Sequence, residues 1–326
     1  MKTLTGALAP PVGQDPELDA VSAAIAALDP DGSRLGNVIR ETYDQLYDGQ
    51  RTGRFRWEEL HKTEKTYMGT IVEINVHREF EFEDGNAMDY LIDGIEVDCK
   101  YSQTLGGWEF PPEAYEQRHL CLVIWADDAL SRWEAGLIRV DGKSTPLGSE
   151  NRDRKRKLIG AGKDHVRPLY DKPELPENLL LHISEQTRQE IFNPPSSTGR
   201  KASGQSKINQ LFRSVQGRLV NRASILTVAQ QKDSMKRARD ARLPKHLGKE
   251  GILVLGHQGQ DPLVAADLGL PRPPKGSFIS IKVAPAEAGF DGPATELSGS
   301  RWRTANPDDP IVAAPQLRVP SGDPDD

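Results

Sequence analysis

Cysteine is almost absent from this chain. There are two, Cys99 and Cys121, in 326 residues. Two cysteines cannot build a disulfide framework or a cysteine-based zinc site, and a reducing, cytoplasmic setting is expected. Long apolar runs are missing too. No stretch of about 18 apolar residues occurs, which argues against a membrane-spanning helix. The start, "MKTLTGALAPPVGQDPELDA", has one lysine and no apolar core of useful length, so a secretory signal is not expected. His77, His119 and His165 show no metal-ligand spacing, and there is no internal repeat.

What is present is charge, unevenly placed. Apolar residues make up 37% and charged residues 28%, as in a soluble globular protein with some loose, exposed sequence. The length allows two domains. The net charge of −6 argues on average against nucleic acid, yet residues 198–250 hold 13 Lys and Arg against 3 acids. A second basic run is "NRDRKRK" at 151–157, while acids collect in the first hundred residues and in the C-terminal tail. Such asymmetry points to a nucleic-acid-binding part joined to something acidic.

Along the chain, residues 1–20 read as loose. Leu35, Val38, Ile39, Tyr43 and Leu46 fall at helical spacing, and "DGQRTGR" breaks that helix. Residues 57–82 read as one or two helices, with Met68, Ile71, Val72 and Val76 on one side. "HLCLVIWADD" (119–128) is a buried strand and "WEAGLIRVD" (133–141) another. The proline-bearing "HVRPLYDKPELP" (165–176) looks like a linker. Beyond it, "GQSKINQLFRSVQGRLV" places Ile208, Leu211, Phe212, Val215 and Leu219 on one helical stripe. "RASILTVAQ" is a second helix, and "DSMKRARDA" a third, opened by an aspartate cap. "GILVLG" and "GSFISIKV" are strands joined by a Gly/Pro-rich loop. Three helices followed by a two-stranded ribbon are a winged-helix layout. From about residue 285 an irregular tail is expected.

The stretch "AMDYLIDGIEVDCKYS" carries the chemistry. Asp93-Gly94 is a strong two-residue hairpin signal. With those residues in the turn, Ile92 faces Ile95, Asp89 lies directly opposite Asp98, and Ala87 opposite Lys100. Met88, Tyr90 and Ile92 then meet Cys99, Val97 and Ile95 on an apolar reverse face. The polar face sets two carboxylates roughly 5 Å apart at Cβ, with an ammonium beside them. Like charges so placed repel, and a divalent cation removes the repulsion. Mg²⁺ takes oxygen ligands from carboxylates, water and phosphate. Lys100 can orient an attacking water or stabilise charge building on phosphorus. This arrangement resembles that of the PD-(D/E)xK nucleases, with Met88 where those often have proline. The competing reading is a solvated hairpin face whose lysine offsets two acids.

"LYDGQRTGR", "GTIVEIN…REFEF", "MDYLI…GIEVDCKYS…GGW…PPE" and the basic helical half together resemble the NaeI family of type II restriction endonucleases. The resemblance spans nearly the whole chain and is weakest in the first 30 and last 40 residues. It implies an α+β fold, with a PD-(D/E)xK endonuclease-like domain over residues 1–165, a linker at 166–176, and a winged-helix DNA-binding domain, similar to the catabolite activator protein, over 177–326. The family's metal-binding and catalytic set falls on Glu73, Asp89, Asp98 and Lys100, with Mg²⁺ as cofactor. The resemblance further implies a homodimer cutting double-stranded DNA at a palindromic, GC-rich site. Cleavage would be stimulated by a second copy of the site and would leave 5′-phosphates. It leaves open whether a cognate DNA methyltransferase is encoded nearby. An alternative is a winged-helix regulatory protein whose nuclease half no longer cuts.

"LYDGQR" (46–51) resembles the nucleotidyl-attachment motif of DNA ligases, a likeness shared by the NaeI family. A ligase needs a lysine amine where this chain has Leu46, which excludes self-adenylation there. In "VAQQKDSMKRARDAR", Met235 and Ala238 can pack inward, leaving Lys232, Lys236, Arg237 and Arg239 for DNA. Trp108 and Phe110 read as core or loop anchors.

Overall fold

The spacing of apolar residues sets the helices, and the runs between them set the sheets. The computed structural model describes residues 3–195 and 202–317. The chain divides into two units, Met1–Leu46 with Arg56–Asn178, and Tyr47–Phe55 with Leu179–Asp326. Among the described residues no helix is long and apolar enough to cross a membrane.

The first unit opens with α1 (Pro16–Leu28) and α2 (Ser33–Tyr47). A short helix, α3 (Gly49–Thr52), belongs to the second unit. After a 3-10 turn at Trp57–Glu59 comes α4 (Lys62–Phe80), which buries Met68, Ile71, Val72, Val76 and Phe80. The strands are β1 (Glu83–Asp84), β2 (Tyr90–Ile92), β3 (Ile95–Ser102), β4 (Glu109–Phe110), β5 (Leu120–Asp127), β6 (Arg132–Arg139), β7 (Arg156–Lys157) and β8 (Arg167–Pro168). A single helical turn, α5 (Pro112–Glu116), precedes β5. Six strands form one mixed sheet in the order β1-β2-β3-β5-β6-β8, in which only the β3–β5 pair is parallel.

Both faces of that sheet are covered, so β5 is buried along nearly its whole length and its sequence runs apolar without alternation. One face packs Cys121, Val123, Trp125 and Ile138 with Trp108, Phe110, Tyr115 and Val166. Trp108 and Phe110 are thus core residues. The other face carries Tyr101, whose hydroxyl meets that of Tyr43 on α2 at 2.9 Å. It also carries Tyr90, which donates to the Glu73 carbonyl of α4 at 2.7 Å.

Several expectations fail here for identifiable reasons. Residues 3–20 are not loose: Leu4 is buried, its N–H donates to Glu134 at 2.6 Å, and α1 starts at Pro16 behind an Asp15 cap, while residues 1–2 lie outside the described residues. Residues 166–176 do not merely link, because β8 adds to the edge of the sheet beside β6. The first hairpin strand is Tyr90–Ile92 rather than 87–92. Residues 86–88 turn out of the ladder, and Met88 packs with the Trp108 cluster instead of beside Tyr90.

The second unit places α6 (Glu185–Phe192), α7 (Gly204–Ser214), β9 (Leu219–Val220), α8 (Arg222–Ala229) and α9 (Ser234–Asp240) before β10 (Ile252–Leu255) and β11 (Phe278–Pro285). Ile208, Leu211, Phe212 and Val215 join one core with Ile225, Val228 and Phe278. Leu219 leaves that stripe: α7 has ended, and the residue lies exposed in β9. Asp233 precedes α9 without a side-chain capping bond and pairs with Arg237 instead. β11 is flanked by β9 and β10. The loop between β10 and β11 holds α10 (Asp261–Asp267). The tail is irregular only in part, since β12 (Ala294–Leu297) and β13 (Ser300–Thr304) pair with each other and β13 extends onto β11. Residues 318–326 of the expected tail lie outside the described residues.

Candidate active site

Asp93 and Gly94 both take positive φ, 51° and 74°, as a two-residue hairpin turn requires. They bring Ile92 opposite Ile95 and Tyr90 opposite Val97. There the ladder stops. The continuation that would set Asp89 squarely against Asp98 is not made, and Ala87 does not reach Lys100. Beyond Val97, β3 is held by β5 alone, pairing Asp98 with Cys121 and Lys100 with Val123. The edge that β2 abandons is where the polar side chains gather.

Cys99 sits at this open edge with both backbone groups directed outward. Its N–H donates to Asp89 Oδ2 at 2.7 Å, and its carbonyl accepts from Lys100 Nζ at 3.0 Å. Lys100 Nζ also lies 2.5 Å from Asp98 Oδ1 and 3.6 Å from Asp89 Oδ2. One ammonium is therefore shared by two carboxylates and a carbonyl. The second oxygen of Asp98 faces the Cys121 thiol at 3.7 Å. Asp98 is only 3% exposed, whereas Lys100 remains in partial reach of solvent.

The electrostatics follow from this burial. Burial raises the Asp98 carboxyl to about 7, and the adjacent Lys100 offsets only part of that rise. Burial also works against the Lys100 ammonium, but Asp98 and Asp89 together outweigh it and push the amine up. Glu73, on α4, is raised by burial and by the charge of Asp89, against the pull of Lys100 and His77. Glu73 thus feels Asp89 and Lys100, and those two feel Asp98, although the hairpin is shorter than expected. Three carboxyl groups stand against one ammonium, an excess of acid that suits a cation.

The donor set fits a hard divalent ion. Carboxylate oxygens from Glu73, Asp89 and Asp98 are the ligand class such ions select. No group of three or more His, Cys, Asp and Glu among the described residues stands preassembled for a metal. Here the Lys100 ammonium takes the position between the oxygens, and it would have to move aside for an ion.

The basic residues marked for DNA lie on or just ahead of α9 and differ in exposure and pairing. Lys232 is exposed ahead of α9. Lys236 is exposed but pairs with Asp240 at 2.5 Å, and Arg237 pairs with Asp233 at 2.8 Å. Arg239 is half-buried, while Ala238 and Met235 pack inward. Leu46 is buried, and the ligase-like segment after it folds into the second unit, with Gly49 against Thr227 and Gln50 donating to the Gln231 carbonyl. A Cβ on Gly49 would lie 1.9 Å from Thr227 Oγ1, so a packing contact accounts for this glycine. Sequence reasoning gave no role to Cys121 or to Glu96. Glu96 accepts from the N–H groups of Asn86, Ala87 and Met88 at 2.8, 3.2 and 2.9 Å. The signal for Glu96 was present: it shares a strand face with Asp98 and Lys100.

Known proteins resemble this chain over most of its length. A family model described as restriction endonuclease NaeI matches residues 19–313. A type II restriction enzyme NaeI from Lentzea aerocolonigenes is 52% identical over 303 residues, covering 92% of this chain and 94% of that protein. With a family model and a relative that each cover most of its length, the chain belongs to the NaeI family of type II restriction endonucleases.

Proposed function

We propose that this chain hydrolyses phosphodiester bonds of double-stranded DNA with Mg²⁺ at the open edge of β3, leaving 5′-phosphate and 3′-hydroxyl ends. The observation that carries the reading is the convergence of Asp98, Asp89 and the Cys99 carbonyl on the Lys100 ammonium. Nothing in binding alone requires carboxylates to be gathered so closely, because their mutual repulsion is unfavourable. Asp89, Asp98 and Glu73 would hold the ion. When bound, it would supply Lewis-acid stabilisation of the phosphoryl oxygens. Lys100, released from Asp98, would keep its proton and face the scissile phosphate, orienting water and opposing the charge that builds there. Cys99 N–H and the Cys121 thiol hold Asp89 and Asp98 in place.

The second unit would bind DNA as a winged helix. Its order α7, β9, α8, α9, β10, β11, with β9 and β10 on either side of β11, supports that assignment. Lys232, Lys236, Arg237 and Arg239 would lie toward the duplex. Recognition of a GC-rich palindrome by a homodimer, and stimulation by a second copy of the site, rest on the family likeness.

A plasmid cleavage assay with Mg²⁺ tests the reading. Lys100→Ala should lose cleavage by a factor of about 10² or more while keeping its DNA affinity. Cleavage at the wild-type rate by this variant would refute the assignment of the site.

A further inference from the structure

We propose that Glu96 is a positioning residue of the nuclease centre: its carboxylate clamps the backbone of residues 86–88 and so fixes where Asp89 stands against Asp98 and Lys100. The proposal rests on the reading of the β3 edge as that centre. Glu96 comes two residues before Asp98 on the same strand face. It accepts three consecutive backbone N–H groups, from Asn86, Ala87 and Met88. Successive N–H groups turned toward one point form an anion-binding nest, and here the anion is supplied by the neighbouring strand. Asp89 follows the nest immediately, so its Cα has little freedom once the three bonds are made.

The loop closes too tightly to be an incidental surface contact. Gly85 lies so near that a Cβ would stand 2.2 Å from the Met88 carbonyl and 2.8 Å from Glu96 Oε2. The Gly85 N–H reaches back to the Asp89 carbonyl at 3.4 Å. One strand therefore carries Asp98 and Lys100 directly and holds Asp89 through Glu96. Ordinary hairpin pairing cannot do this, because the ladder has ended at Tyr90.

The test is single-turnover plasmid cleavage across a Mg²⁺ titration, beside DNA affinity without metal and a thermal melt. Glu96→Ala should raise the Mg²⁺ concentration for half-maximal rate about tenfold and leave metal-free DNA affinity unchanged. Glu96→Gln, which keeps reach but not charge, should fall between wild type and Ala and guards against simple misfolding. Gly85→Ala, which crowds the same loop without removing a charge, should shift the Mg²⁺ dependence in the same direction. A lowered melting temperature with wild-type Mg²⁺ dependence would make Glu96 a hairpin brace only and overturn the proposal. Asp89→Ala and Lys100→Ala serve as controls. If both cleave like wild type, the nuclease-centre reading falls and takes this proposal with it. If both are inactive while Glu96→Ala titrates like wild type, the proposal alone falls.

Discussion

Replacing Asp98 by asparagine should make the first unit more stable relative to wild type as pH rises from 4 to 7. In the folded chain the Asp98 carboxyl is raised from 3.8 to about 7, mainly by burial. Below pH 4 it is protonated in both folded and unfolded chains and contributes no difference. Between 4 and 7 the unfolded chain has released the proton and the folded chain has not, so wild-type stability falls as pH rises. Above 7 the loss is complete, at about 4 kcal/mol, from about 1.4 kcal/mol for each tenfold step. Asparagine carries no such penalty. The stability difference between variant and wild type should therefore widen by up to about 4 kcal/mol across this window and then level off.

Urea unfolding followed by tryptophan fluorescence at pH 4.5 to 8 measures this difference. Trp57, Trp108, Trp125 and Trp133 all lie in the first unit, so the signal reports mainly on it. Carboxyls held low elsewhere run the opposite way with pH. Asp15 beside Arg139 and Glu250 beside Arg213 are examples, and they cancel in the difference. A difference that narrows with rising pH would show that the Lys100 ion pair dominates burial, and would refute the reasoning. The same titration bears on activity. On the proposed reading, a cation held by Asp98 below pH 7 would displace its proton, so the Mg²⁺ requirement of cleavage should rise as pH falls.

Two further outcomes follow from charges away from the site. Arg40 is buried and holds Asp128 together with Asp44, while Asn178 also donates to Asp128 at 3.1 Å. Arg40→Met should destabilise the first unit by about 3–5 kcal/mol in the same urea assay, because Asp128 stays buried without its cation. On the basic surface, Lys232→Ala should lower the slope of log affinity against log salt by about 0.9 in a DNA-binding titration. Lys236→Ala should lower it less, since Asp240 already neutralises that ammonium.

The long elements could be read in the sequence because each is governed by one local rule. Helical spacing marked α2, the unbroken apolar run marked β5, and Asp93-Gly94 marked the hairpin turn and its first three pairs. The elements that escaped had readable signals hidden by composition. The α1 start is an aspartate cap followed by proline, inside a stretch that otherwise looks loose. The β12–β13 hairpin turns at Ser298-Gly299, both at positive φ, inside a tail rich in Pro, Ala and Asp. Pro168 suits an edge strand such as β8 as well as it suits a linker, because an edge can spare an N–H.

The site itself failed differently. Asp89, Asp98 and Lys100 do come together, but extrapolating strand alternation past Tyr90 gave the wrong contact between Asp89 and Asp98. Periodicity describes a ladder and cannot report where a side chain captures the partner strand's backbone, as Glu96 does at residues 86–88. That interruption has a chemical consequence. Had the ladder continued, the Cys99 N–H and carbonyl would have been available for pairing with β2. Because it stops, the N–H anchors Asp89 and the carbonyl joins the oxygens around Lys100. The regular hairpin delivers Asp98 and Lys100 to the sheet edge, and its early end leaves that edge unpaired by β2, where the proposed cation and phosphate would sit.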